Sequence, residues 1–201
     1  MNNIKQNYFI IGITGRANVG KDSLVQILTK CILAELSQIL AKNIHLLRES
    51  DAIIENITKM TGGNRETIEK SKRSIQDMRW ILEQYGTNYL GESLVSEYII
   101  NNVLNIIEKS TKNQESHIIF LIIRGLKQRA FVKSYNGLII RIRRESEDSL
   151  RAAYPSEIQI ERMNPDLVIN NEWSFLRFEK MTEDLFKAEI LPKIKTTLNL
   201  I

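Results

Sequence analysis

The chain has 201 residues, of which 43% are hydrophobic and 26% are charged, and its formal net charge is +4. This length suits one globular domain, which we expect to span residues 1–201. The small net charge does not indicate nucleic-acid binding, no run approaches the ~18 apolar residues of a membrane helix, and a single cysteine with no removable signal peptide favours a cytoplasmic protein.

Predicted strands alternate with predicted helices along the chain. In the first half, hydrophobic periodicity predicts a strand over Tyr8–Thr14, a helix over Lys21–Ala41 and a strand over Asn43–Leu47. A helix capped by Ser50 with Asp51 is predicted to run to about Met60 and to be closed by Thr61-Gly62-Gly63. Two further helices are predicted, one from Asn64 or Thr67 to Tyr85 with Gly86 as its stop, and one over Glu92–Ile107. In the second half, the same periodicity predicts strands over His117–Ile123, Leu138–Arg143 and Leu167–Asn170. Helices are predicted over Leu126–Ser134 and over Phe175–Leu198, the latter with a bend at Pro192. Between these elements we expect a polar loop over Lys109–Glu115 and a charged surface segment over Arg144–Asn164. This order predicts an α/β fold with a parallel central sheet and right-handed crossovers.

The strongest motif follows the first predicted strand. The spacing Gly15-x4-Gly20-Lys21 fits the phosphate-binding signature G-x-x-x-x-G-K, in which backbone N–H groups and the lysine surround phosphate oxygens. The start of the next helix adds a partial positive charge. We therefore predict that a nucleotide cofactor contacts the residues of this loop and of the first helical turn, namely Gly15, Arg16, Ala17, Asn18, Val19, Gly20, Lys21, Asp22 and Ser23.

The loop alone leaves more than one class of nucleotide-binding protein open. Its letters Gly-Arg-Ala-Asn-Val-Gly-Lys resemble the first guanine-nucleotide motif of bacterial-type GTPases. Residues 24–201 contain neither the Asp-x-x-Gly nor the Asn-Lys-x-Asp segment that GTPases need. Asp22 also stands where the Mg²⁺-binding hydroxyl is usual, and the hydroxyl comes one place later, at Ser23. A GTPase is therefore the third of the functions that we consider.

The form G-x-x-x-x-G-K-D-[ST] resembles the phage-type deoxynucleoside monophosphate kinases. Further segments resemble that family in the same order: Arg79–Thr87, Ile122-Ile123-Arg124, Asn136–Arg143, Ser156-Glu157 and Pro165–Asn171. The resemblance implies the three-layer P-loop NTPase fold of nucleoside monophosphate kinases, with a parallel central sheet and a small lid at about 144–164. It also implies ATP-dependent phosphoryl transfer to a (deoxy)nucleoside monophosphate, with ATP and Mg²⁺ as cofactors and a role in deoxynucleotide metabolism.

Residue roles follow from the loop motif and the resemblance together. Catalytic roles are predicted for Lys21, Asp22, Arg124 and Arg143; acceptor binding for Arg79, Glu83, Thr87 and Arg124; nucleotide contacts from the lid for Arg144 and Arg151; and Mg²⁺ binding for Ser23 and Asp22. Arg124 follows an apolar strand and precedes Gly125, at the strand end where open α/β sheets bind ligands. Arg141 is a further candidate for the lid, on the same face of its strand as Arg143.

Several positions depart from the family pattern. Ile122 replaces an aspartate that would organise Mg²⁺, and Glu83 replaces a glutamine unless the register slips by one and Gln84 takes that role. Gly91 stands in place of a second arginine, Gln128 in place of an acidic residue, and Tyr154 in place of a lid histidine. These departures leave open an inactive nucleotide-binding scaffold as the second function. The implied fold also serves dephospho-coenzyme A kinases and phosphomevalonate kinase, so the identity of the acceptor is left open. The acceptor is expected to be a small molecule, with neither nucleic acid nor membrane as a partner, and a homodimer is left open. His45 and His117 lie far apart in the sequence without metal-ligand spacing, so we expect both to be structural.

Overall fold

The computed structural model describes residues 6–40, 43–74, 85, 91–144, 160, 162–172 and 174–200. In these ranges, five parallel strands form one sheet in the order β2-β3-β1-β4-β5. The strands are β1 (Tyr8–Thr14), β2 (Ile44–Arg48), β3 (His117–Ile122), β4 (Leu138–Arg143) and β5 (Leu167–Asn170). The helices are α1 (Lys21–Leu40), α2 (Glu49–Thr61), α3 (Arg65–Ser74), α4 (Gly91–Asn113), α5 (Leu126–Ser134), α6 (Phe175–Leu185) and α7 (Leu191–Thr197).

Both faces of the sheet are covered by helices. On one face, Phe9, Ile11 and Ile13 of β1 share a buried cluster with side chains of α1, α6 and α7. On the other face, Ile10 shares a second cluster with side chains of α2, α4 and α5. Strand residues alternate between the two faces, and the apolar runs of β1, β3 and β4 are buried along almost their whole length, whereas β2 and β5 are partly exposed. The predicted three-layer α/β fold with a parallel central sheet is thereby confirmed.

Two predicted helix boundaries are wrong. The segment Lys109–Glu115 is predicted to be a loop, but most of it is helical, because α4 continues to Asn113. The turn comes at Gln114, whose φ is 56°. This segment is polar but contains no glycine or proline that would stop a helix. The helix α2 begins at Glu49, directly after β2, and its N-cap residue Arg48 makes no side-chain cap hydrogen bond. Ser50 and Asp51 therefore lie inside the first turn of α2 and do not cap it.

The C-terminal helix contains one wide turn before Pro192. Between α6 and α7, residues Phe186–Ile190 form a π-helix, and the backbone N–H of Leu191 donates to the carbonyl oxygen of Phe186. Proline has no N–H group and its ring collides with the carbonyl four residues earlier, so a regular α-turn cannot run through this point. The predicted bend at Pro192 thus takes the form of a π-turn that keeps Phe186 and Ile190 in the core.

The two histidines meet at the amino ends of β2 and β3, whereas the glycine loop lies at the carboxyl end of β1. His45 Nε2 and His117 Nδ1 are 2.9 Å apart, so one nitrogen donates a hydrogen bond to the other. Burial lowers the pKa of both imidazoles; His117 and Lys109 lower that of His45 further, whereas Glu115 acts to raise that of His117. The histidines are distant in sequence but form one neutral, structural pair.

No helix in the described part of the chain has the length and apolar character that a membrane-spanning segment requires.

Candidate active site

The glycine loop connects the carboxyl end of the central strand β1 to α1. Gly15 has a φ of 149°, and a Cβ atom on it would lie 2.6 Å from the carbonyl oxygen of Ile142 in β4. Gly20 has a φ of 101°, a conformation that residues with a side chain rarely adopt. Asn18 also has a positive φ, of 62°. Both glycines of the sequence signature are therefore required by backbone conformation and by close neighbours.

Apolar side chains hold the loop against the core. Val19 is 1% exposed and belongs to the cluster under α1, and Ala17 is buried as well. The first helical turn follows at once, because the backbone N–H of Leu24 donates to the carbonyl oxygen of Gly20 at 2.9 Å. Ser23 lies half-buried in this turn. The loop thus has a defined shape that is built into the fold.

Lys21 extends back over this loop. Its Nζ donates hydrogen bonds to the carbonyl oxygens of Gly15 at 2.7 Å and of Arg16 at 2.5 Å. The ammonium group therefore lies at the loop itself, next to the start of α1, where the helix dipole also favours anions. A phosphate group that binds in the loop would find this charge already in place.

Asn171, the residue after the edge strand β5, anchors the glycine loop through a hydrogen bond. Its Nδ2 donates to the carbonyl oxygen of Val19 at 2.7 Å, and its backbone N–H donates to the carbonyl oxygen of Arg143 at 2.8 Å. A Cβ atom on Gly20 would lie 2.6 Å from the same Nδ2. The role of Asn171 cannot be read from the sequence, because nothing there shows that the end of β5 reaches the loop.

Asp22 forms an ion pair with Arg48, for which the sequence predicts no role. Its Oδ1 accepts hydrogen bonds from Nε of Arg48 at 3.1 Å and is 2.9 Å from Nη2 of the same side chain. Arg48 is the last residue of β2 and so lies at the same edge of the sheet as the glycine loop. The predicted strand ends at Leu47, so Arg48 is not recognised as an arginine at the carboxyl end of a parallel strand, which is where open α/β sheets bind ligands.

Arg124 lies just beyond the carboxyl end of β3, as predicted, and close to a carboxylate. Its Nε is 3.9 Å from Oε2 of Glu49, the first residue of α2. Its backbone N–H donates to Oε1 of Gln128 at 2.9 Å. Together with Asp22 and Arg48, these residues give the edge formed by β1, β2 and β3 both positive and negative charges.

Arg141 and Arg143 share a strand face but have different surroundings. Arg143 is exposed at the carboxyl end of β4, beside the glycine loop. Arg141 is 4% exposed and donates from Nη2 to the carbonyl oxygens of Ile160 and Met163. The expectation that Arg141 belongs to a mobile lid is therefore wrong, since this guanidinium holds backbone in the interior.

The predicted lid is described only at its ends. Arg144 is half-buried directly after β4, and Ile160 and Met163 are 2% and 1% exposed, so the end of this segment packs in the core and is not surface. Residues 145–159 lie outside the described ranges, with Arg151, Tyr154 and the pair Ser156-Glu157 among them. The same holds for the acceptor-side candidates Arg79, Glu83 and Thr87, which therefore stay predictions.

Within the described ranges, no group of three His, Cys, Asp or Glu side chains could hold a metal ion. The position predicted to matter for Mg²⁺ is occupied by Ile122, which is 6% exposed and pairs in register with Arg48 of β2 and Ile13 of β1. Asp22 and Ser23 are the oxygen donors nearest to Lys21 in the chain.

Comparison with known proteins gives weak likenesses only. No family model matches the sequence, and no curated protein matches it significantly. A sugar kinase from a Janibacter species aligns over 93% of this chain and 98% of its own, with 13% identity and a TM-score of 0.40. A protein from Thermus thermophilus aligns over 91% of this chain and 98% of its own, with 16% identity and a TM-score of 0.43. Similarity at this level does not indicate what the protein does.

Proposed function

We propose that this protein is a nucleoside monophosphate kinase-type phosphotransferase. It moves the γ-phosphoryl group of ATP to a (deoxy)nucleoside monophosphate or a similar small phosphorylated acceptor. The observation that carries this proposal is the position of Lys21 over the glycine loop at the end of the central strand, with Arg48 and Arg124 at the ends of β2 and β3. Positive charge thus lies at the carboxyl ends of three successive strands of the sheet, β2, β3 and β1.

The glycine loop forms the donor side. Lys21 would exchange its two carbonyl partners for oxygens of the β- and γ-phosphates, and backbone N–H groups of the loop would bind the remaining oxygens. Asn171 and the buried side chain of Val19 keep the loop in the shape that this binding needs. The binding free energy is then not spent on ordering the loop.

Arginines form the acceptor side. A planar guanidinium binds a phosphate through two parallel hydrogen bonds, which fixes the orientation of the acceptor as well as its charge. Arg124 takes this role in our proposal, with Arg79 as its predicted partner. An acceptor oxygen forms a bond to the γ-phosphorus while the bond from that phosphorus to the β–γ bridging oxygen breaks, which yields ADP and a nucleoside diphosphate.

Mg²⁺ fits the site only as an ion carried largely by the nucleotide. Mg²⁺ commonly keeps several waters and binds through substrate phosphates with one or two protein oxygens. The hydroxyl of Ser23 and the carboxylate of Asp22 are the residues that would hold it, Asp22 also being paired with Arg48. When bound, the ion would neutralise charge that develops on the phosphate oxygens.

A second function is favoured by Ile122. An apolar, buried side chain at a position where a carboxylate would organise Mg²⁺ suits a protein that binds a nucleotide without turning it over. Such a protein would act as a nucleotide-dependent scaffold for a partner. It would bind ATP through the glycine loop as tightly as a kinase does, but transfer no phosphoryl group.

Coupled measurement of ADP release separates the two functions. Wild-type protein is incubated with Mg-ATP and each common ribo- and deoxynucleoside monophosphate, and with dephospho-coenzyme A and phosphomevalonate. The kinase proposal expects release with one or a few of these acceptors and none with Lys21→Ala. ATP binding without release on any acceptor supports the scaffold, and equal release by folded Lys21→Ala contradicts the role of the loop.

A further inference from the structure

A fully buried amide lies behind the acceptor side of the site. Gln128, in the first turn of α5, is 0% exposed. Its Oε1 accepts hydrogen bonds from the backbone N–H groups of Arg124 at 2.9 Å and Gly125 at 3.4 Å. Its Nε2 donates to Oε1 of Glu49 at 2.7 Å and to Oγ of Ser96 at 3.3 Å. These contacts engage both lone pairs and both hydrogens of the amide, so its orientation is fixed by its partners.

The amide determines where the carboxylate of Glu49 lies. One carboxylate oxygen accepts the hydrogen bond from Gln128, and the other is 3.9 Å from Nε of Arg124. The Glu49 and Arg124 side chains are only 19% and 29% exposed, so water screens their attraction less than at an open surface. Glu49 therefore restrains the position of the guanidinium, although the distance is too long for a direct hydrogen bond.

Gln128 thus acts on Arg124 in two ways. Its oxygen holds the backbone of Arg124, and its nitrogen holds the carboxylate that attracts the Arg124 guanidinium. Only an amide can do both, because a carboxylate in its place has no hydrogen to donate and an apolar side chain has neither group. A glutamate at this position would also bring two carboxylates together in a buried place, which costs free energy.

We propose that Gln128 and Glu49 are positioning residues, which aim Arg124 at the phosphate of the acceptor. This inference rests on the proposed function, in which Arg124 binds that phosphate. It assigns to Glu49 an electrostatic task that helix formation does not require: loss of its charge should weaken acceptor binding and leave ATP binding unchanged.

The test compares wild type with Glu49→Gln, Gln128→Glu and the exchanged double variant E49Q/Q128E. In the double variant, an amide at position 49 can donate to a carboxylate at position 128, so the buried hydrogen bonds can form again. The charge, however, has left position 49. Glu97→Gln is the matched control, because Glu97 is a half-exposed carboxylate on α4 that pairs with Lys127 at 2.8 Å.

Steady-state kinetics are measured with Mg-ATP and the acceptor that gives the highest turnover. We expect KM for the acceptor to rise about tenfold in Glu49→Gln and in the double variant, with KM for ATP within about twofold of wild type. We expect Gln128→Glu to lower Tm and the double variant to recover it. Glu97→Gln should leave both KM values unchanged.

Two results overturn the inference. An unchanged acceptor KM in Glu49→Gln shows that its charge does not act on Arg124. Full recovery of acceptor KM in the double variant shows that the network matters for folding only. If Gln128→Glu does not fold, the acceptor KM of Glu49→Gln alone tests the inference.

A wild-type protein that transfers to no acceptor contradicts the proposed function, and inorganic phosphate then becomes the probe. In a Lys21→Ala background, the rise in Tm with phosphate should be abolished by Arg124→Ala and reduced by Glu49→Gln. An equal rise with and without Glu49, or no rise at all, overturns the positioning role.

Discussion

Replacing Asn171 with alanine should loosen the glycine loop without disturbing the sheet. The substitution removes the hydrogen bond from Nδ2 to the carbonyl oxygen of Val19, which is 2.7 Å long and half-buried. One such bond contributes about 1 kcal/mol to the free energy of unfolding. For a chain of this size, this loss corresponds to a fall in Tm of about 2–4 °C. Because bound phosphate needs the ordered loop, we expect ATP affinity to fall by up to about fivefold.

Thermal unfolding and calorimetric titration with ATP measure both effects. Asn170→Ala is the control, since Asn170 is the exposed neighbour at the end of β5. Gly20→Ala adds a sharper comparison: in wild type the new Cβ meets Nδ2 of Asn171 at 2.6 Å, whereas in an Asn171→Ala background only the strain of the positive φ remains. Gly20→Ala should therefore cost less in that background. Additive costs, or unchanged ATP affinity in Asn171→Ala, would refute the anchoring role.

Two further predictions concern stability. Because burial lowers the pKa of His45 and His117 from 6.5, the unfolded chain binds more protons than the folded one below that pH, so the free energy of unfolding should fall as pH drops below about 6.5. Thermal unfolding from about pH 8 to about pH 5 should show this fall, and a His45→Gln/His117→Gln variant should show a flatter profile; equal slopes would contradict it. Gly15→Ala should lower stability by at least about 3 kcal/mol, because its Cβ meets the Ile142 carbonyl oxygen at 2.6 Å; a denaturant midpoint equal to that of wild type would refute this constraint.

The sequence predicted most of the fold because its strands are unbroken apolar runs between clear turns. The bounds of β1, β4, β5 and α5 agree with the structure, and Gly62, at the predicted end of α2, has a positive φ. Where apolar periodicity faded but no helix breaker was present, as at Lys109–Asn113, the prediction ended α4 too early. Polarity indicates exposure, and exposure alone does not end a helix.

The site was less accessible to sequence reasoning than the fold. The glycine loop could be predicted because its residues are contiguous and its spacing is set by phosphate geometry. Asn171 and Gln128 could not, since each acts through contacts with residues 152 and 79 positions away, respectively. A charged residue such as Arg141 is typical of a lid, but Arg141 is buried because its guanidinium binds the backbone of Ile160 and Met163. These residues are distant in the sequence, so the contact could not be predicted.

Phosphorus NMR of one reaction mixture tests the central claim most directly. Wild-type protein is mixed with Mg-ATP and the acceptor that gives the largest release of ADP, and Lys21→Ala is run beside it. The account predicts that the resonance of the acceptor monophosphate is replaced by the two coupled resonances of a diphosphate, in step with conversion of ATP to ADP, and only in the wild type. Formation of inorganic phosphate with an unchanged acceptor, or equal conversion by Lys21→Ala, would contradict phosphoryl transfer at this loop.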